Sequence, residues 1–373
     1  MIHIKKLDFV FVKIAMLLLG LLILSACSIR QEKSQPEIEE PSKVIIDNVN
    51  ESTEMVLDFI SIEKIETYEG MEITDWIDEQ TVVLAKENKE LEKMTLFEND
   101  EFYPRSIYVY NLGTKELKTV KAQKGAFLGG ATLSTDKKHL LYYEYAMGDV
   151  AYYLMSLEDE EQTSEAGDSI GIAYTAEWTD EQNVIGVSYS GGAYMADVVG
   201  NLTQIDELKE EQLFTVHKTK GEIYYITTDS PSYQVYRLDP VTKEKKNLQL
   251  ENVDGITISP DGKQILVTQV TGSMKRLIIA DADGTIQGTI AEGSEVTGVS
   301  WSPNQQMIAF QLISDINDGD SNGLYLYDVS TGKSMQINKN IGYGAIRWSP
   351  SGKKIAVSEL NERNYNSSII YIK

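Results

Sequence analysis

The 373-residue chain has one cysteine, three histidines and eight prolines. A lone cysteine excludes an internal disulfide, so Cys27 is left with packing, reactivity or modification as its use. Three imidazoles are too few for a histidine-rich metal centre, and no Ser-His-Asp set stands out around them. Basic residues are also scarce, 34 against 57 acidic ones, for a formal charge of −23. Such a surface repels nucleic acid and anionic lipid. The longest apolar or small stretch, Ile14 to Leu24, is well short of the roughly 20 residues a spanning helix needs.

That stretch has a context. It follows a basic start with Lys5, Lys6 and Lys13 and ends in Leu24-Ser25-Ala26-Cys27, which is the layout of a secretory signal. Leu-Ser-Ala-Cys resembles the bacterial lipoprotein box. The resemblance implies cleavage before Cys27, acylation of its thiol, and anchoring by two or more lipid chains, since one chain alone binds only marginally. Residues 1–26 are therefore expected to be a leader and 27–50 a tether. Gln31 to Ser42 is polar, acidic and bounded by Pro36 and Pro41, too poor in apolar groups to fold. The expected location is the outer face of a cell membrane, in a Gram-positive bacterium by composition.

Residues 51–373 exceed the usual size of one compact core, a limit that repeat architectures escape. All four tryptophans, Trp76, Trp178, Trp301 and Trp348, precede a turn and then a short apolar strand. Three copies lack the tryptophan, at Leu133-Ser134, Lys218-Thr219-Lys220-Gly221 and Ile258-Ser259. The position after each tryptophan or its equivalent recurs at steps of 57, 45, 39, 41, 43 and 47 residues. A second landmark, a strand closed by Asn111, Ser156, Asp197, Asp239, Asp281 or Asp328, keeps the same phase. Short strands and turns at this period specify an all-β propeller with four strands to a blade, and seven copies predict seven blades. The last blade then lacks its outer strand. Met55 to Ile60 is the apolar segment expected to supply it.

Ser259-Pro260-Asp261-Gly262-Lys263 and Trp348-Ser349-Pro350-Ser351-Gly352-Lys353 resemble the TolB-type propeller repeat, also found in prolyl oligopeptidases. The resemblance implies the propeller fold and a general tendency to bind partners. The α/β domain that precedes the TolB propeller and the oligopeptidase hydrolase domain have no counterpart here.

No catalytic constellation is visible in the sequence, and no cofactor is expected apart from calcium. Asp318, Asp320 and Asn322, followed by Gly323, alternate as in a calcium loop. The EF-hand position for a bidentate glutamate holds Val329, and an ordinary polar hairpin fits the same residues. Repeat insertions tend to fall on one face and mark binding. The longest, Lys86 to Arg105, would share a face with the loops bearing Met147, Tyr189 and Tyr233, and Tyr103 lies at its end. These four are the candidate contact residues, although tyrosine is also simply a good strand former. The sequence thus favours a monomeric, lipid-anchored, non-catalytic scaffold or sensor for an envelope protein or cell-wall component. It leaves open a propeller enzyme of lactonase or lyase type, or a calcium-dependent carbohydrate binder, working from the central channel.

Overall fold

The computed structural model describes residues 60–97, 100–146, 149–158, 163–165, 176–188, 191–228, 232–314, 321–339, 344–361 and 364–373. Cys27, the leader and the tether lie outside them, as do Met55 to Phe59. No helix of the described residues is long and apolar enough to cross a membrane.

The strands fall into antiparallel quartets, numbered here I to VII in chain order. An edge strand β1 (Ile62–Glu69) comes first. Quartet I holds β2 (Met71–Trp76), β3 (Thr81–Glu87), β6 (Arg105–Asn111) and β7 (Leu117–Lys121), with a small hairpin β4 (Met94–Phe97) and β5 (Asp100–Phe102) inserted before β6. Quartet II is β8 (Phe127–Leu133), β9 (His139–Ala146), β10 (Asp149–Ser156) and β11 (Thr163–Glu165), and quartet III is β12 (Glu177–Trp178), β13 (Asn183–Val187), β14 (Ala193–Asp197) and β15 (Leu202–Gln204). Quartet IV has β16 (Leu213–Thr219), β17 (Glu222–Thr227), β18 (Gln234–Leu238) and β19 (Lys245–Glu251). Quartet V has β20 (Val253–Ile258), β21 (Gln264–Thr271), β22 (Met274–Asp281) and β23 (Ile286–Gly293). Quartet VI has β24 (Glu295–Trp301), β25 (Met307–Ile313), β26 (Gly323–Asp328) and β27 (Lys333–Asn338). Quartet VII has β28 (Gly344–Trp348), β29 (Lys354–Asn361) and β30 (Asn364–Ile372), completed by β1.

The fold is an all-β propeller, but seven separate blades are not what the described residues form. Five four-stranded sheets, III to VII, stand apart, and quartets I and II merge into one eight-stranded sheet. The cause is local: Arg105 pairs in parallel with Phe127 where the connection between the quartets brings β6 beside β8. A second difference concerns the outer strand of VII. It is Ile62–Glu69, whose residues run antiparallel to β30 from Ile62 opposite Ile372 to Glu69 opposite Asn366. That strand is mostly exposed, so an apolar run was the wrong signal for it. Ile60, just ahead of it, is buried among Ile346, Ile355 and Ile370.

The two sequence landmarks have physical causes. Each tryptophan ends an innermost strand, and its indole N–H donates to a backbone carbonyl of the preceding quartet. Trp178 reaches Thr132 (3.0 Å), Trp301 reaches Thr257 (3.4 Å), Trp348 reaches Ser300 (3.4 Å) and Trp76 reaches Arg347 (3.1 Å). In every case the acceptor is the residue just before the preceding quartet's own tryptophan position. The Trp76 bond joins the first quartet to the last. After the tryptophan position, Ser134, Ser259 and Ser302 are buried and tie the first hairpin, each hydroxyl accepting the amide of the residue five places on. The second landmark is an Asx turn. Asn111, Asp197, Asp239 and Asp328 each accept two backbone N–H groups of the turn that follows. Those bonds favour the ionised form and hold the Asp239 carboxyl below the ordinary aspartate value; Asp197 is lowered first by the Asn201 side chain, and Asp328, against the opposing effect of burial, first by the Ser330 hydroxyl, with the backbone bonds adding to both.

Aromatic pairs stiffen alternate quartets. Tyr142 stacks on Tyr153, Tyr225 on Tyr236 and Phe310 on Tyr325, with centroids 5.4–5.6 Å apart. Each pair faces across the second and third strands of its quartet, so much of the tyrosine content supplies cross-strand packing.

Candidate functional site

In an antiparallel quartet the connection from second to third strand opens at the same end as the connection to the next quartet. That end is the loop face. Of the described residues it carries 88–97 and 100–104 in quartet I, 188 and 191–192 in III, 228 and 232–233 in IV, 314 and 321–322 in VI, together with the connections 122–126 and 205–212. The inserted segment 88–104 is tied down at its base. Asn88 N–H donates to Pro104 O (2.8 Å), the Asn88 amide donates to the Ser106 hydroxyl (3.1 Å), and Glu92 pairs with Lys124 of the neighbouring connection. Phe102, at the end of β5, meets Phe127 edge to face at 6.1 Å.

Of the candidate contact residues, Tyr103 and Tyr233 are described. Tyr103 is half-buried with the Lys93 ammonium 5.5 Å from its ring centre. Tyr233 is 40% exposed and lies 5.3 Å from the Phe214 ring. Both are on the loop face, but in quartets I and IV, so they do not form one patch. Met147 and Tyr189 lie outside the described residues. So do Asp318 and Asp320. Asn322 is described, and its side-chain oxygen accepts the Ser314 N–H (2.9 Å) across the base of the loop, while its carbonyl accepts from Gln336 (2.8 Å). This is hairpin chemistry. Among the described residues no group of three His, Cys, Asp or Glu side chains gathers to hold a metal ion.

Polar groups concentrate at three places on the quartet seams. Buried Arg105 donates to Glu72 (2.5 Å) and to Ala85 O (3.2 Å), and its guanidinium lies 4.3 Å from the Tyr365 ring. Lys275 sits between Asp254 (2.6 Å) and Glu295 (2.7 Å), joining V to VI; burial works against its charge, yet the two carboxylates raise its pKa. The third place was missed in the sequence, where His217 had no companion. His217 Nδ1 lies 2.9 Å from Glu177 Oε1, and its Nε2 lies 3.2 Å from Thr215 Oγ1. Alternation along β16 puts Thr215 and His217 on one face. Glu177 comes from the neighbouring quartet, so only the repeat register could have revealed it.

Hydroxyl, imidazole and carboxylate in this order resemble a hydrolytic relay, but the repeat offers a simpler account. Lys218 pairs with Ile223 as Trp178 pairs with Val184, so His217, like Glu177, stands one residue before the tryptophan position of its quartet. The bond links equivalent positions of the adjacent quartets III and IV.

No family model matches the chain, and no curated protein matches it. Solved structures do. An oligogalacturonate lyase in complex with manganese aligns at a TM-score of 0.59 and 10% identity, over 84% of this chain and 98% of that one. The β-propeller domain of Cps50 (Swd1) from Myceliophteria thermophila aligns at 0.58 and 13% identity, over 84% and 100%. TolB from Acinetobacter baumannii aligns at 0.42 and 18% identity, over 67% and 69%. At these identities the first two likenesses show the propeller fold and nothing of its activity.

Proposed function

We propose that this chain is a lipid-anchored, extracytoplasmic, non-catalytic propeller that binds an envelope protein or cell-wall component through its loop face. The observation that carries the binding reading is the gathering of the irregular connections, with the inserted β4–β5 hairpin, at one end of the quartets. Among the described residues the opposite end has short turns, several closed by serine and Asx bonds. Cys27 in Leu24-Ser25-Ala26-Cys27 supports the anchor, and the acidic surface argues against nucleic acid as partner. In this reading the propeller is monomeric and has seven blades, quartets I and II counting as two because a single residue pair joins them.

Two experiments test it. Labelled fatty acid should enter the wild type and not Cys27→Ala; equal incorporation would end the lipoprotein assignment. Crosslinking in intact cells, repeated with residues 89–103 replaced by a short Gly-Ser turn, should lose the captured partner. Retention of the same partner would move the site off the inserted segment.

A further inference from the structure

The tryptophan position recurs in every quartet, and what stands there differs from seam to seam. In quartets I, III, VI and VII it holds an indole N–H that donates to a carbonyl oxygen of the preceding quartet. Quartets II and V hold Leu133 and Ile258, opposite Leu140 and Ile265 in the ladder, and offer no side-chain donor. In quartet IV the position is Lys218, opposite Ile223. Its ammonium reaches back to quartet III as an indole does, but what it meets is the Met195 sulfur on β14, 3.4 Å away. Among the described residues that sulfur is the ammonium's sole partner.

Donor and acceptor are ill matched. A lysine ammonium carries three donors and makes its strong bonds to oxygen, whereas a thioether is a weak acceptor. The indoles at the same position all find an oxygen. We propose that Met195 is an oxidation site whose sulfoxide supplies the oxygen that Lys218 lacks and so fastens the seam of III and IV.

The surroundings allow the reaction. Met195 is half-buried, packed at the margin of the cluster of Ile185, Val187, Leu213, Val216 and Tyr225, within reach of a small oxidant. Met155, one quartet back, is 1% exposed and is shielded. With hydrogen peroxide the sulfur lone pair attacks one peroxide oxygen and the O–O bond breaks. The departing hydroxide takes the proton of the transferred hydroxyl and leaves as water. The sulfur is oxidised by two electrons, the peroxide is reduced by two, and one S–O bond is formed.

A sulfoxide in a packed cluster ordinarily loosens it, because a polar oxygen enters apolar surroundings without a partner. At Met195 the partner is already in place. The sulfur touches the ammonium, so an oxygen on it lies within reach of Nζ, and the flexible four-carbon stem of Lys218 adjusts to it. A weak N–H···S contact becomes a charge-assisted N–H···O bond between β16 and β14. Oxidation therefore tightens this seam, and methionine sulfoxide reductases, which reverse the step, release it.

The test treats the full-length protein with hydrogen peroxide, beside Lys218→Leu, which installs the residue type of quartet II, and Met195→Leu, which keeps the apolar volume. Peptide mass spectrometry should find one added oxygen on Met195 at exposures that leave Met155 reduced. Amide hydrogen exchange along β14 and β16 should then slow several-fold in the wild type and return to its starting rate after treatment with the reductases. In Lys218→Leu the same oxidation should quicken exchange there. Met195→Leu carries the oxidation of every other methionine, and in it peroxide should leave both strands unchanged. Exchange that is unchanged or quicker in the oxidised wild type, slowing that persists in Met195→Leu, or a Met195 as resistant as Met155 overturns the proposal. None of these readouts depends on the lipid anchor or on a partner.

Discussion

The seam that closes the ring, between quartets VII and I, and the seam between V and VI do the same task with different chemistry. Between V and VI the contact is apolar: Leu266, Leu277 and Ile279 on one side meet Ile308, Phe310, Leu312 and Tyr325 on the other. The Trp301 bond crosses it, with the Lys275–Glu295 ion pair (2.7 Å) and a bond from Asp261 N–H to Gln305 (3.4 Å). At the closing seam Tyr68, Ala356 and Ile369 of quartet VII meet Ile73, Trp76 and Leu84 of quartet I, and a set of hydrogen bonds to backbone groups is added. Ser358 donates to Ile73 O (2.7 Å), Ser367 donates to Met71 O (2.8 Å) and accepts the Ile73 N–H (2.9 Å). Arg347 donates to Thr74 O (3.1 Å), the Asn366 side chain accepts the Gly70 N–H (3.0 Å), and Glu79 accepts the Ser351 N–H (2.7 Å). Neighbouring quartets meet because the chain between them is short. The closing partners are nearly 300 residues apart in sequence, and apolar contact alone does not choose among many similar strands. Directed bonds to backbone groups choose one strand in one register.

The largest effect should come from the apolar side. Phe310→Ala removes a fully buried ring stacked on Tyr325 and should cost about 3–5 kcal/mol, read as a fall in the denaturation midpoint at unchanged slope. A loss below 1 kcal/mol would mean that this seam is not close-packed. Ser367→Ala comes next. It strips the partner from the buried Ile73 N–H and from Met71 O, a penalty of about 1–3 kcal/mol. Its particular signature is location: hydrogen exchange should rise along β1, β2 and β30 and stay unchanged along β25 and β26. A uniform rise would show that the ring opens as a whole and would remove the distinction between the seams.

Trp76→Phe against Trp301→Phe sharpens the contrast at smaller scale. Both lose an indole bond, but Trp76 is the more deeply buried and its bond is shorter, 3.1 against 3.4 Å. The loss should be about 1 kcal/mol more than ring truncation alone at Trp76, and less at Trp301. Equal losses would count against a special role for polar bonds at closure.

Much of the propeller was readable because its repeats are local. Tryptophan, the serine that follows its position, and the Asx turn act within one quartet or between adjacent ones, so their spacing survives in the sequence. The closing seam was not readable. Ser358 and Ser367 are unremarkable residues whose importance lies in partners at the other end of the chain. The edge strand β1 was passed over for the more apolar Met55 to Ile60, because an outer strand buries little and needs little apolar surface. His217 has no neighbouring ligand in the sequence, because its companion Glu177 is one repeat away and the two meet only where adjacent quartets pack together.

The smallest effect, and the most selective, is the response of the closing strand to acid. Glu66 on β1 accepts Lys64 (2.9 Å), Tyr68 (3.0 Å) and, from β30, Tyr371 (2.8 Å). The Lys64 bond first and the Tyr371 bond second hold its carboxyl at about 2, against an opposing effect of burial. A depressed pKa stabilises the folded state above the ordinary glutamate range and ceases to as pH falls through about 2. The Tyr371 bond spans β1 and β30, so protonation of Glu66 acts on the strand that completes quartet VII, whereas the apolar cluster between V and VI holds no carboxylate and that seam's Asp254 and Glu295 are paired with Lys275. Exchange of β1 and β30 amides, corrected for intrinsic rates, should therefore accelerate in acid before that of β25 and β26. Glu66→Gln should start partly loosened at neutral pH and lose the acid dependence. If β25 and β26 loosen first, or if Glu66→Gln keeps the wild-type acid profile, the acid response belongs to other carboxylates and closure is not governed by Glu66.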